Sequence, residues 1–198
     1  MRFSQIKEHL SHYTVGIAGA GGLGSNCAVA LARSGIGHLV ICDFDTLETA
    51  NLNRQYYFND QVGMKKVEAL KENLQRINPE TRVTIHDIKL NPEKIIELFS
   101  DCEVIVEAFD QAEMKQMLAE TVLSTWPDKP LIIGSGMAGW GNNQAIHERK
   151  IDDTLYVCGD EQSEISDELP PLAPRVGIVA NMQANVVIDL LMNKPAMK

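Results

Sequence analysis

Short apolar runs that are typical of strands alternate with segments of helical period along most of this chain. Such an alternation forms most readily as a parallel sheet covered by helices. The strand-like runs are residues 15–18, 38–42, 83–85, 104–108 and 131–133. The helical segments are residues 25–34, 65–77, 92–99 and 113–125. The pattern predicts a Rossmann-like α/β fold, a mostly parallel sheet with helices on both faces.

The last third of the chain departs from that alternation. Residues 144–149 are typical of a further strand, and residues 175–191 of an apolar helix that closes the domain. Between them, residues 151–171 are acidic and end in prolines, so we expect a surface loop there. With 198 residues, of which 44% are hydrophobic, the chain can bury one sizeable core. We therefore expect a single domain over residues 1–198, with extra strands toward the C-terminus.

Composition and cysteine placement exclude several classes of protein. The net charge of −9 and the isoelectric point near 5.0 argue against a nucleic-acid partner. Residues 1–13 lack the apolar core of a secretion signal, and no apolar run predicts a membrane span. The four scattered cysteines then favour reduced thiols in a cytoplasmic protein. Cys27, Cys42 and Cys102 are expected in the core, whereas Cys158 falls in the polar stretch and keeps a functional alternative.

A glycine-rich loop over residues 19–24 follows the first strand-like run and precedes the first helical segment. Gly19 permits a tight turn, Gly21 and Gly22 let bare amides approach a phosphate, and Gly24 lets the helix pack on the strand. The loop alone is a weak signal, because residues 134–139 match the same spacing. No helix pattern follows that second match. We interpret it as a turn where another group passes close to the backbone.

Two acidic residues follow the second strand-like run. Asp43 ends that run about twenty residues beyond the glycine loop, where a carboxylate would accept hydrogen bonds from ribose hydroxyls. Its alternative role is to cap the following turn. Asp45 falls within that turn and is the weaker candidate for the same nucleotide site.

A polar segment and a lysine add the positive charge that a triphosphate needs. Asn51, Arg54 and Gln55 precede three aromatic residues that should anchor the segment; the alternative is an ordinary exposed loop. Lys66 falls in the first turn of a helix, where the helix dipole disfavours a cation unless a phosphate compensates it. Together with Lys65, it could equally belong to a solvated helix face. We interpret this combination as favouring ATP.

Asp110 comes just after the strand-like run 104–108, at the edge where open parallel sheets bind ligands. Its carboxylate could hold Mg²⁺ through one oxygen, as is typical of magnesium on nucleoside triphosphates. The alternative is an N-cap for the next helix. Glu107 is a second candidate metal ligand, or simply a strand residue.

These segments together resemble the ThiF/MoeB/HesA family of adenylyltransferases, the bacterial relatives of ubiquitin-activating enzymes. The resemblance also includes residues 63–66, 76–79, 173–177 and 182–184, so it covers nearly the whole chain. The short length, residues 134–141 and the closing segment are most similar to the compact ThiF branch of thiamine thiazole synthesis.

The resemblance implies an activity, ligands and a partner. The family joins the C-terminal Gly-Gly carboxylate of a small ubiquitin-like sulfur carrier protein to AMP and releases pyrophosphate. By this resemblance Asp43 binds ribose, Asp110 holds magnesium, and Arg54 and Lys66 act in catalysis. Those two cations serve the phosphates of ATP together with Asn51 and Gln55. A homodimer is also implied, with the closing helix and the sheet edge as candidate surfaces.

The chain departs from larger relatives in three respects. It has no pair of CxxC motifs, so we predict no zinc site. The position of a reactive cysteine in some relatives is acidic here, near Asp167, which leaves Cys158 as a weak candidate for a covalent adduct. The N-terminal arm is short, and Arg2 is the one candidate there for an arginine acting across a dimer.

Two other functions fit part of the sequence. An NAD-dependent oxidoreductase would share the glycine loop and Asp43 but gives Lys66 and the polar segment before it no natural role. A non-catalytic module that binds a carrier or a partner enzyme would fit the missing zinc motifs and the short arm.

Overall fold

The computed structural model describes residues 1–194 and shows a sheet covered by helices. The expected domain of 1–198 therefore includes residues 195–198, which lie outside the described part. The strands are β1 Thr14–Ala18, β2 His38–Asp43, β3 Arg82–Asp87, β4 Val104–Glu107, β5 Leu131–Gly134, β6 His147–Lys150 and β7 Leu155–Gly159. The α-helices are α1 Phe3–Leu10, α2 Gly22–Ser34, α3 Lys66–Ile77, α4 Pro92–Phe99, α5 Ala112–Thr125 and α6 Ala173–Met192.

Within the described residues, seven strands form one sheet in the order β3-β2-β1-β4-β5-β7-β6. All neighbours pair in parallel except β6 and β7, which are antiparallel. After β1 the chain adds β2 and β3 on one side of that strand, and it then returns to add β4 on the other side. This reversal of strand order opens a crevice at the carboxyl ends of β1 and β4. The predicted Rossmann-like α/β fold with extra C-terminal strands is confirmed.

Both faces of the sheet are covered, because successive strand side chains point to opposite faces. Val15 and Ile17 of β1 join the core under α1, α2, α3 and α6. Val40 and Cys42 of β2 join the core under α4 and α5. Gly16 lets Phe99 of α4 pack directly on β1, since a Cβ there would lie 2.8 Å from the Phe99 ring.

The expected loop over residues 151–171 is wrong in its first part, which contains β7. Tyr156, Val157 and Cys158 are buried in that strand between β5 and β6. The acidic and proline-rich flanks obscured a short apolar run that is stabilised by pairing with β5 and β6. The preceding strand is also shifted: β6 begins at His147, after a 3₁₀ turn at Asn143–Ala145, rather than at residue 144.

The closing helix α6 is longer than the predicted 175–191 and serves as a core helix. By length and hydropathy alone, Ala173–Met192 could cross a bilayer, with a mean hydropathy of 1.2. Half of this apolar stretch is buried inside the domain, however, where Val179 and Val187 pack in the core with α2. Its apolar character is therefore accounted for by packing.

Candidate functional site

A cavity of about 860 Å³ opens at the carboxyl ends of the parallel strands, at the reversal of strand order. The cavity brings together residues that lie far apart in the sequence, from Gly19 to Val176. Of the residues predicted to bind ATP or to hold its magnesium, apart from the second metal candidate Glu107, only Gly24 lies outside its lining within the described part of the chain. Those that line it are Gly19, Gly21, Gly22, Asp43, Asp45, Asn51, Arg54, Gln55, Lys66 and Asp110.

The glycine loop lies between β1 and α2, as expected from its spacing. Gly19 has a φ of +106°, and a Cβ there would lie 2.6 Å from the Ala108 carbonyl oxygen. A Cβ on Gly24 would lie 1.9 Å from the Gly19 oxygen, so only glycine lets α2 approach β1 this closely. Helix α2 starts at Gly22, three residues earlier than predicted, and its first amides lack intrahelical acceptors. These amides lie where an anion can use them.

Asp43 uses both carboxylate oxygens to hold the backbone around the cavity. The Ala20 amide donates to Oδ2 over 2.6 Å, and the Asp45 amide donates to Oδ1 over 2.8 Å. Burial raises the pKa of Asp43, and the two amides together with Lys66 partly oppose that rise. The turn-capping alternative is thus present in the structure. Asp43 lines the cavity, and each of its oxygens can accept a further hydrogen bond. Its role in binding ribose stays a prediction.

Lys66 and Lys65 have different environments despite being neighbours. Lys66 is buried, lines the cavity and donates from Nζ to Asp45 Oδ2 over 2.6 Å. Lys65 is half-exposed and lies outside the cavity lining. Its ammonium group donates to the Phe44 carbonyl and pairs with Asp87. The structure therefore places Lys66 at the cavity, as the resemblance implies, and Lys65 at the N-cap of α3, so the alternative of a solvated helix face holds for neither lysine.

The polar segment is anchored to the glycine loop by an aromatic residue. The buried Tyr57 hydroxyl donates to the Ala20 carbonyl over 2.7 Å. Arg54 lies at the cavity and donates from Nη1 to Asn53 Oδ1 over 2.8 Å. Gln55 is buried, and its Oε1 has no hydrogen-bond partner within residues 1–194. A buried amide oxygen without a partner is uncommon and indicates a position completed by a ligand or water.

Asp110 lines the cavity with an exposed carboxylate that makes no hydrogen bond or ion pair to any described residue. The N-cap of α5 is Gln111, so the capping alternative for Asp110 is wrong. Glu107, the other candidate metal ligand, is fully buried and paired with Lys115 through both oxygens. Burial raises the pKa of Glu107, while Lys115 and the Phe109 amide oppose that rise. Asp110 is therefore the carboxylate of the two that faces the cavity.

The second glycine match over residues 134–139 forms a turn, as interpreted from the absence of a following helix. Gly136 has a φ of +77°, and a Cβ there would lie 2.0 Å from Asp160 Oδ1. Asp160 is buried and pairs with the buried Arg175 of α6. Gly134 and Gly136 line the cavity, so this turn forms a wall of the site.

Arg2, the candidate for an arginine acting across a dimer, is exposed at the N-cap of α1. It is not part of the cavity lining in its own subunit. Its role in a partner subunit stays a prediction.

The position of Cys158 argues against the functional alternative that was kept for it, a weak candidacy for a covalent adduct. Cys158 is buried in β7, and burial raises the pKa of its thiol to about 12, with a smaller contribution from Glu148. A thiol that stays protonated and inaccessible is a poor nucleophile. The sequence did not predict this buried position because acidic residues precede and follow the short strand that contains Cys158.

We expect the folded protein to have no fast-reacting thiol. All four cysteines are buried, and burial raises the pKa of Cys42 and Cys102 to about 12 as well. Titration with an aromatic disulfide reagent at pH 8 should therefore release almost no colour within minutes, and four equivalents after addition of guanidinium chloride. A single fast equivalent that disappears in Cys158→Ser would contradict the buried placement.

The donors at the cavity fit a polyphosphate and a divalent cation. Arg54 and Lys66 supply fixed positive charge, and α2 presents its N-terminal amides. The Asp110 carboxylate is free to coordinate a hard cation, and the Gln55 oxygen is an acceptor without a partner that a hydroxyl or a water can complete. The residues present therefore fit ATP with magnesium.

Comparison with known proteins places this geometry in a family. The ThiF family pattern matches residues 3–198. The chain is 29% identical to the molybdopterin-synthase adenylyltransferase of Salmonella typhimurium, over 93% of this chain and 75% of that protein. It is 28% identical to the adenylyltransferase and sulfurtransferase MOCS3 of Caenorhabditis briggsae, over 93% of this chain. The chain spans only 47% of the length of that second relative.

Solved structures show the same fold. The E. coli tRNA N6-threonylcarbamoyladenosine dehydratase TcdA, in complex with ATP, superposes with a TM-score of 0.85 at 21% identity, over 95% of this chain and 89% of that one. E. coli MccB superposes with a TM-score of 0.72 at 26% identity, over 95% of this chain and 58% of that one. Because the family pattern matches all but the first two residues and these structures share the sheet and its helices, the chain belongs to the ThiF family.

Proposed function

We propose that this chain adenylylates the C-terminal Gly-Gly carboxylate of a small ubiquitin-like sulfur carrier protein, using ATP and releasing pyrophosphate. The observation that supports this most is the convergence of Arg54, Lys66 and Asp110 on one cavity beside the glycine loop. A dinucleotide pyrophosphate would need less of this charge, so the arrangement favours a triphosphate over NAD. The relatives named as adenylyltransferases support the same reaction class.

The chemistry requires positioning and charge more than proton transfer. The carrier carboxylate is ionised at neutral pH and attacks the α-phosphorus of ATP directly. A new bond forms between a carboxylate oxygen and phosphorus, the bond to the bridging oxygen breaks, and pyrophosphate leaves. Arg54 and Lys66 would stabilise the charge that develops on the phosphate oxygens. Magnesium held by Asp110 would supply further positive charge.

The carrier, compartment and assembly state belong to the same proposal. A carrier of thiamine thiazole synthesis is the first to test, because residues 134–141 and the closing segment resemble the compact ThiF branch. The net charge and the reduced, buried thiols suit a cytoplasmic protein. A homodimer follows from the resemblance, with neither nucleic acid nor a membrane as partner.

Exchange of labelled pyrophosphate into ATP tests the reaction. We expect the purified protein to catalyse exchange only when magnesium and a cognate carrier are both present. A carrier that lacks its last two glycines is the matched control and should give no exchange. Comparing carriers of the thiazole and molybdopterin pathways at equal concentration then identifies the preferred substrate.

Two outcomes would replace the proposal with another function. Carrier and ATP binding without exchange would indicate a non-catalytic binding module. Tight binding of NAD with no binding of ATP would indicate an oxidoreductase. Sedimentation at working concentration separately tests the dimer.

A further inference from the structure

The buried Glu107 lies where the nucleotide cavity and the sheet core meet, and every polar atom of its side chain is engaged. Lys115 Nζ donates to Oε1 over 3.0 Å and to Oε2 over 2.8 Å. The Phe109 amide donates to Oε1 over 2.6 Å. Glu107 is 0% exposed, so its charge depends on these partners rather than on solvent.

Lys115 joins this carboxylate to the end of β5, the strand that neighbours β4. Its third hydrogen bond goes to the Gly134 carbonyl over 2.9 Å, at the start of the second glycine turn. Its side chain is 26% exposed and lines the cavity. One ammonium group thus connects α5, which carries it, with the ends of β4 and β5. These strand ends lie at the edge of the sheet where Asp110 lies.

The hydrogen bond from Phe109 connects this ion pair to the proposed metal ligand. Phe109 precedes Asp110 in the turn between β4 and α5, and its amide is held by Glu107. Asp110 itself has no side-chain partner among the described residues, so the backbone of this turn must set its position. Without Lys115, Glu107 would be a buried carboxylate with no cation, which could persist only by protonation or reorientation.

We propose that Lys115 is a positioning residue: it neutralises Glu107, which holds the Phe109 amide and so places Asp110 at the nucleotide cavity. This inference rests on the proposed function, since it concerns the carboxylate assigned to the metal. Lys115 acts through two other residues and is not assigned a contact with the nucleotide.

Binding of Mn²⁺ to the protein with ATP, followed by electron paramagnetic resonance, tests this role without any turnover. We expect Lys115→Met to weaken Mn²⁺ binding by about tenfold or more, the usual scale for residues that orient a metal ligand. ATP affinity without a divalent cation should change by less than about threefold, because Lys115 is already neutralised by Glu107. Lys115→Arg keeps the cation and should restore most of the Mn²⁺ affinity.

The double variant Glu107→Gln/Lys115→Met separates positioning from direct contact. Glutamine keeps an acceptor for the Phe109 amide and needs no cation, so we expect Mn²⁺ affinity to recover to within about threefold of the wild type. A double variant that stays defective would overturn the proposal, and so would a large loss of ATP affinity without a divalent cation. If Lys115→Met fails to fold, the double variant decides the question in the same way.

Lys129→Met is the matched control for a merely structural lysine. Lys129 also donates to two backbone carbonyls, those of Phe99 and Ser100, but lies outside the cavity lining. Its Mn²⁺ and ATP affinities should equal those of the wild type. Equal loss in this control would overturn the proposal. A wild-type protein that binds no ATP would overturn the proposed function and this inference with it, whereas unchanged Mn²⁺ binding in Lys115→Met overturns this inference alone.

Discussion

Replacing Lys66 with methionine is expected to lower carrier-dependent pyrophosphate exchange by roughly 10²- to 10³-fold, the scale for removing one preorganised charge from a reacting centre. Lys66 is buried at the cavity with its ammonium 2.6 Å from Asp45. The Asp45 side chain is 46% exposed and can be solvated when its partner is removed, so the fold should tolerate the change. The measurement is the initial rate of exchange at saturating carrier, with thermal melting to verify folding.

The neighbouring lysine provides the control for this result. Lys65→Met removes an equal charge one residue away, from a side chain that pairs with Asp87 outside the cavity. We expect its exchange rate to stay within about threefold of the wild type, since only local charge is lost. Equal losses in the two variants would show that general electrostatics, rather than a phosphate contact, accounts for the effect.

The buried pair of Asp160 and Arg175 should dominate the response of stability to a single substitution. Both side chains are almost fully buried, and Arg175 Nε has no partner within residues 1–194. Asp160→Ala leaves that guanidinium uncompensated, and the free energy of unfolding should fall by roughly 3–5 kcal/mol. For a chain of this size the melting midpoint should then fall by roughly 6–20 °C. Calorimetry or circular dichroism measures the shift.

A substitution at the adjacent Glu161 provides the control, because it removes an ion pair at the surface instead of a buried one. Glu161 pairs with Arg149 on the exposed side of the same turn. Glu161→Gln should leave the midpoint nearly unchanged, because solvent replaces a surface ion pair easily. A similar loss in both variants would mean that the turn, rather than the buried charge, determines stability.

Acid sensitivity gives a second measure of the same pair. Burial raises the pKa of Asp160, but hydrogen bonds from Ser163 and Gln162, with Arg175, outweigh that effect and lower it overall. A carboxyl whose folded pKa is depressed stabilises the fold above its unfolded pKa of about 3.9 and loses that contribution as pH falls further. Wild-type stability should therefore decline more steeply below about pH 4 than that of Asp160→Asn. Parallel pH profiles would contradict this.

The sequence predicts the central sheet well because its strands are buried on both faces. Runs such as residues 131–133 are continuous apolar segments, a pattern typical of parallel strands between two helical layers. Strand β7 escapes prediction because it is short and its stability comes from pairing with β5 and β6. Helix α1 also escaped prediction: it is only eight residues long, and Leu10 is its one buried residue.

The candidate site is predictable where local order along the chain reflects chemistry. Asp43 is the last residue of a strand, the glycine loop and Asp110 each come after one, and strand ends meet at one edge of a parallel sheet. Pairings across long sequence separations are not predictable in this way. Lys115 and Glu107 could have been suspected, since a carboxylate within a buried strand requires a cation, but the sequence does not say which one.

The composition of the outer strand β6 affects how two molecules of this protein can associate. Its four residues, His147–Lys150, are all exposed and all ionisable, and β6 ends the sheet on that side. Charged side chains along an open edge disfavour the addition of another strand from a second molecule. Sheets from two chains should therefore not merge through β6, and this edge protects a concentrated solution against strand-mediated aggregation. A dimer of this protein would form through another surface.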